Sequence, residues 1–105
     1  MQKGKILIFQ YNDVTFHKKV KSLVSDERVF YSTHAKKRMR ERDITFVQIL
    51  NCLEKGKIEE VVHQNIKGNW QATLGYFTGG DYVKVAACIC AKEDGELILI
   101  ITVMT

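Results

Sequence analysis

Apolar residues recur at helical spacing through the first half of the chain and at strand-like spacing through the second, with the change at Gly56. After Asp13, a residue type suited to capping a helix, Phe16, Val20 and Leu23 form one stripe, so residues 14–25 are expected to make an amphipathic helix with Lys18, Lys19 and Lys21 on its solvated side. Ser32 or Thr33 can cap a second helix that buries Ala35 and Met39 and breaks at Asp43-Ile44. Thr45 and Gln48 make a capping-box pattern for a third, whose expected inward stripe is Phe46, Ile49, Leu50 and Leu53 and whose stop is Gly56.

Beyond Gly56, the runs Lys57 to His63, Trp70 to Phe77, Tyr82 to Cys90 and Leu97 to Val103 are separated by short polar turns, which predicts an antiparallel meander. The last two runs are almost continuously apolar, so they belong in the middle of the sheet, covered by helices on one face. The expected architecture is α+β, with N-terminal helices packed on a four-stranded antiparallel sheet. Lys5 to Gln10 alternates weakly and reads as a short strand or an ordered arm. Trp70, Tyr76, Phe77 and Tyr82 are read as core or cross-strand residues in preference to base-stacking ones.

A chain of 105 residues, 46% hydrophobic and 27% charged, can bury one core, which predicts a single domain. Its apolar runs fall short of the roughly 20 residues of a membrane span, and the N-terminus has no small-residue cleavage site, so a cytoplasmic location is expected. Cys52, Cys88 and Cys90 cannot all pair and are expected to be reduced. Cys88 and Cys90 would share one face of a strand, and His17 or His63 could join them around zinc. No C-x-x-C pair or clustered histidines support such a site, so neither a metal nor a cofactor is expected. Gly79-Gly80 lacks the lysine and helix of a phosphate-binding loop.

The net charge of +4 is unevenly distributed: residues 1–45 carry +6 and residues 46–105 carry −2. Such a basic half suits a polyanion, because neutralising phosphates releases their counterions; an acidic protein partner is the competing reading.

The run YSTHAKKRMRERDIT, Tyr31 to Thr45, concentrates the chemistry. His34, Arg38 and Arg42 are spaced four apart and can project from nearly one side of the second helix. Histidine as a residue type exchanges protons near neutral pH, and arginine grips phosphate with a planar fork. Lys36, Lys37 and Arg40 point elsewhere and make a solvated or RNA-tracking surface. Either arginine of the first set could instead tether the helix to Glu59 or Glu60.

The motif His34-Ala35-x-x-Arg38-Met39-x-x-Arg42-x-Ile44, with the glycine-stopped helix and the strand meander ending on Ile101-Thr102-Val103, resembles a family of small bacterial domains of unknown function. That family is grouped with the barnase, EndoU, colicin and RelE-type ribonucleases. The likeness covers about residues 30–105, which makes residues 1–30 an N-terminal extension and 31–105 a toxin-like core. It implies a metal-independent endoribonuclease that inhibits translation or growth and is neutralised by a cognate antitoxin of the zinc-finger or helix-turn-helix type that partners MqsR. In such an enzyme the substrate 2′-hydroxyl is the nucleophile, His34 would serve as base or acid, and Arg38 and Arg42 would stabilise the phosphoryl oxygens. Tyr31, Lys84, His63 and Thr102 are possible contributors, with Lys84 also a candidate RNA contact. The alternative is a non-catalytic module that binds nucleic acid or an acidic partner through the basic half.

Overall fold

A computed structural model describes residues 10–105, so the expectation for Lys5 to Gln10 lies almost wholly outside the described residues. The elements follow in the order α1 (Asp13–Ser25), β1 (Val29–Tyr31), α2 (Thr33–Arg42), α3 (Phe46–Lys55), β2 (Lys57–Gln64), β3 (Trp70–Thr78), β4 (Asp81–Lys92) and β5 (Gly95–Met104). The class is α+β. The sheet, however, has five strands in the order β1-β5-β4-β3-β2, not four.

The added strand also makes the sheet mixed. Val29, Phe30 and Tyr31 run parallel to Ile98, Leu99 and Ile100, whereas β2 to β5 form the antiparallel meander. Three residues are too few to establish a period of two, and a partner almost 70 residues away leaves no hairpin signal.

Helix starts follow local hydrogen bonding closely. Asn12, rather than Asp13, caps α1: its side chain accepts from the Thr15 backbone, and the Thr15 hydroxyl accepts from the Asn12 backbone. Asp13 occupies the first turn, where its charge complements the helix dipole and its Oδ1 accepts from Val62 N–H on β2. Ser32 caps α2, Asp43 ends it in the left-handed conformation, and Thr45 with Gln48 completes the capping box of α3.

One face of the sheet is covered. Phe16, Val20 and Leu23 of α1 and Ile49, Cys52 and Leu53 of α3 join Leu74, Val85, Ile98 and Ile100 in a single core, so α1 supplies part of the same interior. Phe46 is not part of the inward stripe of α3; it is 55% exposed and packs edge-to-face on Tyr31 at a centroid distance of 4.9 Å. Gly56 ends α3 with extended backbone, because a Cβ there would stand 2.4 Å from the Cys52 carbonyl oxygen and 2.9 Å from that of Gly75.

Candidate functional site

The second face of the sheet carries the side chains that alternate with the core. Strand register aligns His63, Gln71, Cys88, Leu99 and Phe30 in one row across all five strands. Next to this row β5 bulges: Ala87 pairs with Ile100 and Ala86 with Thr102, leaving Ile101 as the extra residue.

The bulge anchors α2. The Ser32 hydroxyl donates to the Ile101 carbonyl at 2.9 Å and accepts from Ala35 N–H at 2.9 Å, while Ser32 N–H donates to Ile100 O at 3.0 Å. Buried Ala35 and Met39 then hold the helix against β5, with His34 in its first turn. His34 lines a cleft of about 450 Å³ over the second face. Cys88 and Gln71 contribute to the same cleft, Leu99 and Ile101 add apolar surface, and the hairpin joining β2 to β3 brings Lys67 and Asn69 to it. Its size lies in the ~300–1,000 Å³ range of small-ligand sites.

Asn65 folds that hairpin. Its Oδ1 accepts from the backbone N–H of Lys67 and Asn69, and its own N–H donates to Asn69 O at 2.8 Å. This asparagine-centred turn presents Lys67 at the tip beside a fully exposed Ile66. Among the described residues neither His34 nor Lys67 has a side-chain hydrogen bond or ion pair, so both remain available to a ligand.

The expected residues divide. Arg38 lies one turn beyond His34 on nearly the same side of α2, and Arg42 two turns beyond with further angular drift. Neither lines the cleft itself, and among the described residues neither makes an ion pair. The tether to the sheet is not formed, because Glu59 pairs with Lys84 at 3.5 Å and accepts from the Tyr82 hydroxyl, while Glu60 accepts from Thr73 at 2.9 Å. Lys84 is therefore on the second face with its charge partly matched, and Thr102 is opposite Ala86 on that face.

His63 lies directly across from Gln71, with Nδ1 2.9 Å from Val61 O and Nε2 without a protein partner among the described residues. Tyr31 is not in this group. It pairs with Ile100 on the covered side, packs on Phe46, and burial pushes its hydroxyl pKa upward. Lys36, Lys37 and Arg40 are exposed, and Lys36 and Arg40 line a different groove with Met39 and Phe46.

Two other concavities among the described residues lack comparable chemistry. The groove of about 480 Å³ beside Lys36 and Arg40 has no histidine or cysteine, and in the one of about 600 Å³ beside α1 the His17 Nε2 is engaged 2.9 Å from the Leu53 carbonyl.

The thiols are buried and unpaired, with Cys88 Sγ 3.5 Å from Cys90 Sγ. Burial, then the Cys90 contact, pushes the Cys88 thiol up to about 12, and burial does the same for Cys52. Cys52 and Cys88 are therefore protonated and unsuited to nucleophilic work at neutral pH. Among the described residues no three His, Cys, Asp or Glu side chains cluster closely enough to hold a metal ion, and no helix is long and apolar enough to cross a membrane.

Sequence reasoning missed Lys67, Asn69 and Gln71, having read Asn65 to Asn69 as a turn alone. The available signal was a lysine at the tip of a five-residue polar hairpin, which gains meaning only once the hairpin is seen beside α2.

A family model described as a domain of unknown function, DUF4258, matches residues 31–105. No curated protein and no solved structure matches the chain.

Proposed function

Since the chain belongs to the DUF4258 family, whose description assigns no activity, we propose its function from the site itself: a metal-independent endoribonuclease acting on cytoplasmic RNA. The observation that carries this reading is an exposed His34 in a cleft also lined by Lys67, neither side chain having a hydrogen bond or ion pair among the described residues. A proton carrier and a cation that share a cleft are what a transesterification needs from a protein.

In the proposed reaction the substrate 2′-hydroxyl attacks the adjacent phosphorus, the P–O5′ bond breaks, and the products are a 2′,3′-cyclic phosphate and a 5′-hydroxyl. His34 takes the 2′-hydroxyl proton or delivers one to the leaving 5′ oxygen. His63, in the same row of the sheet and roughly 10 Å of strand spacing from Cys88, is the candidate for the complementary transfer. Lys67 and Arg38 stabilise the phosphoryl oxygens, and Arg42 extends the cationic track along α2.

The resemblance of the His34-to-Ile44 motif to toxin-like domains supports a place in a toxin–antitoxin module, with growth arrest relieved by a zinc-finger or helix-turn-helix antitoxin. The deciding experiment incubates purified wild type and His34→Ala with RNA and follows fragment length and end chemistry. Equal RNA integrity in both sinks the enzyme reading.

A second reading has its own observation. Lys36, Lys37 and Arg40 are exposed without ion pairs among the described residues, as a non-catalytic nucleic-acid-binding surface requires. It predicts binding that falls steeply with salt and leaves RNA length unchanged.

A further inference from the structure

The carboxamide of Gln71 has a fixed polarity, set from the hairpin inward. Two backbone N–H groups, those of Lys67 at 3.0 Å and Asn69 at 3.1 Å, identify one end of the Asn65 side chain as the oxygen. Its other end is then the amino group, which donates to Gln71 Oε1 at 3.0 Å. Asn65 thus draws one lone pair of Gln71 Oε1 toward the hairpin. The Nε2 of Gln71 has no protein partner among the described residues, although Gln71 lines the cleft.

Part of the surroundings is apolar. Leu99 and Ile101 line the same cleft, Ile66 stands fully exposed at the hairpin tip, and Phe30, the register partner of Leu99, extends the apolar surface with a ring 49% exposed. A nucleobase matches such a site, because its faces are apolar and its hydrogen-bonding groups lie on its edge.

We infer that this cleft holds one unpaired keto base of an RNA strand, guanine or uracil, between apolar side chains and with its exocyclic carbonyl oxygen accepting from Gln71 Nε2. A glutamine with both amide ends free pairs with adenine by offering donor and acceptor side by side. Here the acceptor is already engaged by Asn65, while neither hydrogen of Nε2 has a protein partner among the described residues. With the C6 substituent of a purine or the C4 substituent of a pyrimidine opposite Nε2, the amine of adenine or cytosine would set donor against donor, whereas O6 of guanine or O4 of uracil completes the bond. The inference deepens the proposed function and rests on it, since His34 and Lys67 then stand near the backbone phosphate of the recognised nucleotide.

The test compares uridine and cytidine oligonucleotides carrying 2′-O-methyl groups, which cannot undergo attack by the 2′-hydroxyl, on the full-length protein. Wild type should favour uridine by roughly five- to tenfold, the scale of one hydrogen bond between uncharged groups. Gln71→Glu keeps an acceptor for Asn65 but turns a second acceptor to the cleft, so the ratio should shift toward cytidine; Gln71→Met should bring it to about one. Reading ratios on folded variants separates the effect from added charge and from lost stability.

Equal binding of the two oligonucleotides by wild type, or an unchanged ratio in both variants, overturns the base subsite. Unmodified RNA, tested in parallel, separates this result from the enzyme reading. Intact RNA with the expected ratios removes the nuclease and leaves the base subsite standing, cleavage without a uridine preference does the reverse, and failure to bind either oligonucleotide overturns the base subsite while the enzyme reading stands or falls on the unmodified RNA.

Discussion

The Ser32 hydroxyl bridges α2 to the bulged carbonyl of Ile101, accepting from Ala35 N–H while donating across to β5. One side chain thus fixes both the start of the helix and its distance from the sheet, and His34 is two residues away. Ser32→Ala should cost about 0.5–2 kcal/mol in a denaturant titration, the range for loss of an N-cap. It should also reduce RNA cleavage by more than the fraction unfolded explains, because His34 loses its registration against the cleft. Activity that tracks the folded fraction would remove Ser32 from any positioning role.

His34→Gln should retain the thermal midpoint, since the imidazole is exposed and has no protein partner among the described residues. Loss of a general acid or base should lower the cleavage rate by about 10²–10⁴-fold. Arg38→Ala should follow with about 10²–10³-fold, and Arg42→Ala with less because it lies farther round and along the helix.

Lys67→Ala should weaken RNA binding and reduce the slope of log affinity against log salt by about one, as removing a single phosphate contact does. Lys84→Ala should change the slope less, because Glu59 already faces that ammonium group at 3.5 Å. Equal slopes for the two variants would contradict the distinction.

Alkaline stability should reflect the buried thiols. Cys52 and Cys88 are each pushed up to about 12 by burial, whereas in the unfolded chain a thiol titrates near its ordinary value of 9.0. Their contribution is therefore complete below about pH 9 and is lost as pH rises from there toward 12, where the unfolded chain binds fewer protons. The thermal midpoint should fall across that window, less so in Cys52→Ala measured against its own neutral value. Native protein should resist alkylation at neutral pH and react on unfolding.

Acid should act through Arg28. The guanidinium meets both oxygens of Asp94 at 3.2 Å, and that contact holds the Asp94 carboxyl below its ordinary value. Stability from this pair is present above the unfolded carboxylate pKa and is lost as pH falls through the lowered folded value. Asp94→Asn should flatten the acid limb of midpoint against pH while leaving the alkaline limb unchanged.

Elements whose cause is local were legible in the sequence. The Thr45–Gln48 capping box, the Ala35 and Met39 stripe, the break of the second helix at Asp43-Ile44 and the placing of Cys88 with Cys90 on one face each arise from spacings of a few residues. What depends on distant partners was not legible. β1 exists because Ile98 to Ile100 offer a free edge, and Phe46 lies outside because Tyr31 is there to receive its ring. The same division runs through the site, where the helical spacing of His34, Arg38 and Arg42 is a local property. The approach of Lys67 and Gln71 requires the hairpin to curl over a sheet whose register no short window contains.

The parallel pairing of β1 with β5 also sets an order of events during synthesis. Val29 to Tyr31 leave the ribosome long before Ile98 to Ile100, yet α2 has no anchor on the sheet until that last strand arrives. A nascent or truncated chain ending before Gly95 would carry His34 and every arginine of α2 while lacking the surface that orients them. Any activity that depends on this geometry is therefore withheld until Ile98 to Ile101 have been synthesised, and a frameshift just before Gly95 would silence it as fully as one before His34.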